Sequence, residues 1–422
     1  MRKGLETAGI LLGAAMLVLL SLFPARGWIA VLGILAAVVL VCVGQRALPR
    51  HLPVIGASVI LLLMSLVSLG ITPVPSVTRA ETWLLWGSIG AFYLVFLWAR
   101  TRDRLIWAGA GLAAMGAGYA LIAPFAVDWI TERKTFFPTA LYTVFPRLTA
   151  DAVHPNVMAS VLATLMFVPL AWAVWPPREW AAPRWALRIP RTRWIWLLAA
   201  LLMAGVLFLT KSRGAYLAVG ISAAAFALLI ARRRHWLLWA LLAGVLVLAV
   251  AAFWVQDAVP LGDTLAEEVL KTDTLAFRQR LWHFGAFLVG DFPFTGIGMG
   301  AFNNAALALY GHDELKQLGA HSLYFQAALD LGIPGFLAFL AAVVVVLARA
   351  LRTYHVLQRR RDDMLWPLAA GCITGALTVL LHGVVDIGTW GTRGSFVPWC
   401  VLGLLAATSA LDAKRQEEGR GG

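Results

Sequence analysis

The sequence predicts an all-α polytopic membrane protein of about twelve transmembrane helices, and three observations carry that prediction. Of 422 residues, 60% are hydrophobic and only 14% are charged, whereas an ordinary soluble domain has roughly 25% charged residues. Apolar runs recur from one end of the chain to the other, each long enough for a helix to cross a hydrocarbon core of about 30 Å. Inside that core every backbone N–H and C=O must be satisfied within the segment, so the runs are helices and not strands. Nineteen Trp, many beside loops, fit the aromatic belts of a bilayer's two interfaces.

The runs lie near residues 6–23, 28–44, 54–71, 83–99, 105–125, 156–175, 195–210, 215–231, 236–255, 334–350, 365–385 and 396–411. No cleavage-type small-residue site follows the first, so it reads as a retained helix. The chain divides into helices one to nine (1–255), a large extracytoplasmic loop with short interfacial helices (256–320), and the last three helices with a cytoplasmic tail (321–422). With the N-terminus in the cytoplasm, 23 of the 35 basic residues fall in the short inside loops. The positive-inside rule then puts both termini in the cytoplasm. A net charge of +13 would otherwise suggest nucleic acid, but the cations sit in short clusters between spans, where they orient helices. Cys42, Cys372 and Cys400 lie in or beside apolar runs without paired spacing, which argues against a disulfide framework and a zinc site.

This topology leaves three segments outside: 126–155, the tight turn Lys211-Ser212-Arg213-Gly214, and 256–320. Lys211 and Arg213 are cations on the side where the orientation rule does not want them. Either they snorkel to headgroups, or they hold phosphate oxygens, which suit a planar guanidinium. In the long segment, Arg278 and Trp282 share the more apolar face of a helix and Arg280 points away. An Arg on a packed face needs an anionic partner: a carboxylate, with Glu267, Glu268 and Asp273 near in sequence, or a phosphate. Gly296, Gly298 and Gly300 follow no strand and sit in no βαβ unit, so they read as a tight turn and not as a dinucleotide fingerprint. His321 opens a further helix that Gly332-Ile333-Pro334-Gly335 interrupts. A lone His is usually structural, yet His is the side chain best matched to proton transfer near neutral pH. His154-Pro155-Asn156 stands at the matching edge of the sixth span, while His312, His355 and His382 have weaker claims.

Together these residues resemble the O-antigen ligase and O-antigen polymerase superfamily. The resemblance runs from Arg278 through Trp282, Pro293, Gly296-Ile297-Gly298 and Phe302 to His321-Ser322-Leu323-Tyr324 and Leu331-Gly332-Ile333-Pro334-Gly335. Ser212-Arg213-Gly214-Ala215 matches an upstream element, and His154-Pro155-Asn156 an Asn-containing stretch. The resemblance implies a GT-C-like glycosyltransferase that takes a glycan from undecaprenyl diphosphate. The glycan passes to lipid A–core in the ligase branch, to another carrier-linked glycan in the polymerase branch, and to protein in a third. It implies that Arg213 and Arg278 bind the diphosphate and that His321 acts on the acceptor hydroxyl. Lys211, Arg280, Asn156, His154 and Tyr324 would complete the substrate-binding pocket. The expected partners are the lipid-linked donor, a glycolipid or glycan acceptor, and membrane lipids, with no nucleic acid. No Asp-x-Asp cluster appears outside, so the reaction is expected to need neither metal nor cofactor, and direct attack would invert the anomeric centre.

Two other classes make contrary demands. A transporter or flippase would place ionisable residues mid-span or break helices in paired halves, whereas the spans are almost free of such charges and no inverted repeat is evident. A non-catalytic scaffold would make Arg213, Arg278 and His321 dispensable.

Overall fold

The computed structural model describes residues 2–23, 26–45, 52–129, 143–145, 152–175, 192–230, 275–311 and 319–418. The predicted span 236–255, most of the segments 126–155 and 256–274, Glu267, Glu268, Asp273 and His312 lie outside the described residues. Where the chain is described it is helical, with no β-strand and a single bridge between Val127 and Val153.

The helices are α1 (Arg2–Leu22), α2 (Gly27–Gln45), α3 (Ile55–Ile71), α4 (Pro75–Trp98) and α5 (Arg102–Ala126). They continue with α6 (Pro155–Leu165), α7 (Phe167–Val174), α8 (Thr192–Leu209), α9 (Arg213–Ile230), α10 (Leu275–Asp291) and α11 (Phe302–Tyr310). Three more complete the series: α12 (Leu323–Arg360), α13 (Leu365–His382) and α14 (Phe396–Glu418). Among the described residues, nine spans are long and apolar enough to cross a membrane, α6 and α7 together forming one, and α3 and α8 are shorter apolar helices. The chain is therefore an all-α, multi-pass membrane protein. Leu121, Leu198 and Leu228 stand exposed along helix faces, the apolar surface that lipid would cover.

The α6–α7 pair and α13 form the hub. α13 packs against α6, α7, α9, α12 and α14. Close approach depends on missing side chains: a Cβ on Gly371 of α13 would sit 2.6 Å from the Phe167 carbonyl oxygen, and one on Gly403 of α14 would sit 2.5 Å from that of Phe92. Without a hydrophobic drive between helices in lipid, small residues that admit a neighbouring backbone are what binds such a bundle.

Two elements differ from the sequence expectation. α4 begins at Pro75, eight residues before the predicted run, with proline at the first helical position, where its missing N–H costs nothing. The predicted break at Gly332-Ile333-Pro334-Gly335 is a kink within α12, with Gly332 at φ 67° and ψ 175°. There the helical bond from Ile333 N–H to the Leu329 carbonyl is exchanged for two others: Ile333 N–H donates to the Pro293 carbonyl and Ile297 N–H to that of Leu329, each 2.7 Å. The glycine-bearing segment is thus a turn laced to the kink, with Gly296, Gly298 and Gly300 all at positive φ.

The two ends of the bundle differ in charge. One gathers Arg102, Arg104, Arg360 and Arg415 with Glu6, Asp362 and Asp412. The other gathers the turn before α9, the 292–301 loop, the starts of α6 and α12, and the 383–395 segment.

Candidate active site

Four chain segments converge on one buried carboxylate, Asp386. It lies just past the end of α13, its N–H bonded to the His382 carbonyl at 3.0 Å. Its Oδ2 accepts from Asn156 Nδ2 at 2.8 Å. His382, His321, His154 and Arg278 all lie within its electrostatic reach. Burial pushes the Asp386 carboxyl up, but the three imidazoles and the guanidinium outweigh it and hold the group below the ordinary carboxylate value.

Each partner is placed by its own local chemistry. His154 caps α6, its Nδ1 accepting from Asn156 N–H at 3.1 Å, with Pro155 at the first helical position. That bond leaves Nε2 to carry the His154 proton when the ring is neutral. One turn on, Ser160 Oγ donates to the Asn156 carbonyl at 3.0 Å and lies 2.7 Å from His382 Nδ1. With its proton directed at a carbonyl, the hydroxyl accepts from His382 Nδ1–H, which assigns the tautomer. Asn156 Oδ1 and His382 Nε2 are buried with no hydrogen-bond partner among the described residues.

His321 precedes α12 on a left-handed backbone with φ 46°, a conformation that costs a non-glycine residue energy and persists only where its surroundings impose it. Ala320 N–H on one side donates to Gln326 Oε1 at 2.9 Å, and Leu323 N–H on the other donates to the Gly383 carbonyl at 2.7 Å. The Tyr324 hydroxyl donates to the Leu380 carbonyl at 2.8 Å, tying α12 to α13. Lys211 shares the left-handed conformation, φ 50°, in the turn before α9. Arg213 is exposed at the α9 N-terminus, where the helix dipole adds to its charge. Its neighbour Gly214 abuts α13: a Cβ there would lie 2.7 Å from Val385 and 3.2 Å from the His382 ring.

On α10, Arg278 is half-buried and Arg280 exposed, the division that helical spacing predicts. Leu281 and Leu288 are fully buried against Ile297, Phe302 and Leu329, which seats α10 on α12 and the glycine loop. The structure therefore bonds Asn156 to one carboxylate and brings His321, Arg278 and His154 within its electrostatic reach, while Arg213 is exposed beside Gly214, which abuts the His382 ring. Tyr324 is bonded to α13, Lys211 lies in the turn before α9, and Arg280 is exposed on α10.

Sequence reasoning passed over Asp386. Its one available signal was an acidic residue in the short link between two apolar runs, with His382 four positions earlier.

The fold and site define the class: a polytopic helical membrane protein with imidazoles and a guanidinium gathered around a buried carboxylate at one end of its bundle. Comparison with known proteins points to a particular family: residues 198–340, a third of the chain, match the family described as O-antigen ligase. The matched stretch contains Lys211, Arg213, Arg278, Arg280, His321 and Tyr324, but not His154, Asn156, His382 or Asp386. No curated protein matches the chain. The match supports a glycosyltransferase of the O-antigen ligase or polymerase type.

Proposed function

We propose that this protein transfers a glycan from undecaprenyl diphosphate to an acceptor hydroxyl on the extracytoplasmic face of a bacterial inner membrane, as a ligase acting on lipid A–core. The observation that carries the proposal is the gathering of His321, Arg278 and His154 within electrostatic reach of Asp386, with the turn that bears Arg213 packed on the His382 ring through Gly214. In the reaction, His321 accepts the proton of the acceptor hydroxyl while that oxygen attacks the anomeric carbon. The bond between that carbon and the phosphate oxygen breaks, and undecaprenyl diphosphate leaves with the electron pair. Arg213 and Arg278 neutralise the departing charge, with Lys211 and Arg280 at the margin. The sugar–phosphate bond already has a good leaving group, so positioning and preorganised charge are the main demands. Two guanidinium groups meet them without a divalent ion, and single displacement inverts the anomeric centre. Asp386 orients the imidazole and stabilises the imidazolium once the proton arrives.

Purified protein is incubated with undecaprenyl diphosphate-linked glycan and a panel of lipid A–core, carrier-linked glycan and protein acceptors, with and without chelator. Transfer to lipid A–core in the presence of EDTA supports the ligase reading. Exclusive use of a carrier-linked or protein acceptor moves the chain to a sister activity. Full transfer by His321→Ala and Arg278→Ala would remove the mechanism.

A further inference from the structure

A second cavity opens beside this cluster, on the side away from Arg213. Its volume is about 590 Å³ and its walls include Ser76 and Glu81 of α4, His154 and Val157 at the start of α6, and Thr392 and Arg393 of the 391–393 turn. α9, which bears Arg213, packs on α13 and α6, whereas α4 packs on α14, α2 and α3. His154 is common to both places: it lines the cavity and lies within electrostatic reach of Asp386.

Glu81 is held in this wall by two turns. A Cβ on Gly391, at φ 62°, would sit 2.6 Å from Glu81 Oε2, and one on Gly300, at φ 68°, would collide with Oε1. Both positions thus require glycine for backbone and for space. Thr78, one turn earlier, donates to the Met299 carbonyl at 2.8 Å, and Met299 N–H donates to Ser68 at 2.7 Å, docking the glycine loop on α3 and α4. Behind Glu81 stands Asp330, whose carboxylate accepts from Gly300 N–H, Gln326 Nε2 and Trp390 Nε1 at 3.1, 2.8 and 2.7 Å. No part of the transfer chemistry above uses Glu81, and it lies outside the family-matched stretch.

We propose that this cavity is the subsite for the carbohydrate end of the acceptor, with Glu81 accepting hydrogen bonds from sugar hydroxyls. The inference rests on the transferase reading. The diphosphate is assigned above to Arg213 and Arg278, and the polar groups of Ser76, Glu81, His154, Thr392 and Arg393, set among apolar Val77, Leu84, Val153 and Val157, offer hydrogen bonds that a hydrocarbon tail cannot use. A glycan presents hydroxyl donors that the Glu81 carboxyl oxygens receive and acceptors that a guanidinium and two hydroxyls serve. The volume lies in the range of about 300–1,000 Å³ that holds a small ligand. A sugar seated there presents its hydroxyl past His154 toward Asp386 and His321, while the diphosphate stays with the cations on the other side.

The test is two-substrate kinetics on the full chain in detergent. The donor is undecaprenyl diphosphate-linked glycan, and the acceptor is whichever of lipid A–core or carrier-linked glycan the wild type uses. Losing one of the two carboxyl oxygens as an acceptor predicts that Glu81→Gln raises the acceptor KM about tenfold while the donor KM stays within about twofold. Ala80→Trp, which fills the cavity without removing Glu81, gives the same split and carries the test should Glu81→Gln fail to fold. A wild type that transfers to neither acceptor sinks the transferase reading and this assignment together. An active wild type whose acceptor KM ignores both substitutions, or whose donor KM rises instead, overturns the subsite alone.

Discussion

The two ends of the bundle handle charge in opposite ways. At the basic end, carboxylates and guanidinium groups are matched: Arg102 meets Asp362 at 3.2 Å, Arg360 meets Asp412 at 3.0 Å, Arg104 meets Glu6, and Arg415 reaches Asp362 at 3.9 Å. At the site end, one buried carboxylate stands among three imidazoles and a guanidinium. The first arrangement holds helices in register. The second sets titratable imidazoles and a guanidinium around Asp386, groups that can receive a proton and attract an anion. Backbone bonds also hold the site end: the glycine loop is fastened to α12, and α12 to α13 through Gly383.

Mutations that break this contrast rank by size. Replacing His321 or Arg278 with Ala is expected to lower kcat by about 10²–10⁴-fold, the range for a general base or a charge-stabilising donor, with the protein still folded by size-exclusion elution. Arg278→Lys restores only part of the rate, because an ammonium cannot reproduce the planar fork.

Asp386→Asn is next, with an expected loss of about 10–100-fold, corresponding to one charged hydrogen bond at roughly 1.5–3 kcal/mol. The same substitution alters acid stability. The folded Asp386 carboxyl lies below its ordinary value of 3.8, so near that pH the unfolded chain binds more protons. Its stabilisation is present above the unfolded value and lost as pH falls through the folded one. Thermal unfolding in detergent followed from pH 6 downward should show a steeper acid loss in wild type than in Asp386→Asn. Parallel curves would detach the carboxylate from its imidazole partners.

Gly332→Ala tests the backbone fastening. A Cβ there would meet the Phe294 carbonyl at 2.5 Å, at a φ of 67°, and such strain costs about 1–3 kcal/mol. Lower Tm with faster proteolysis in the 292–301 loop is the expected result. Smallest is Arg102→Ala at the basic end. A part-exposed pair contributes about 0.2–1 kcal/mol, so Tm falls by a few degrees at most, screened by salt, with unchanged transfer rate. A rate loss there as large as that of Asp386→Asn would erase the distinction between the ends.

The spans were legible in the sequence because lipid imposes one rule along the whole chain, and hydropathy reads it directly. Arg278 inward and Arg280 outward followed from helical spacing, and the α12 break from a glycine two residues before a proline. The early start of α4 was hidden by its polar first turns: Arg79 and Glu81 look like loop unless Pro75 is taken as a helix start. Asp386 and Glu81 were hidden for a different reason. Asn156 and Asp386 stand 230 positions apart, and Gly391 meets Glu81 across a comparable stretch. No local pattern records such a meeting.

The exchange of bonds at Gly332 also has a mechanical consequence. By giving its own carbonyl to Ile297 and taking that of Pro293 through Ile333, α12 welds the turn bearing His321 to the loop that clasps Glu81. Any tilt of that short upper rod moves both together, so the imidazole and the neighbouring cavity behave as one rigid jaw.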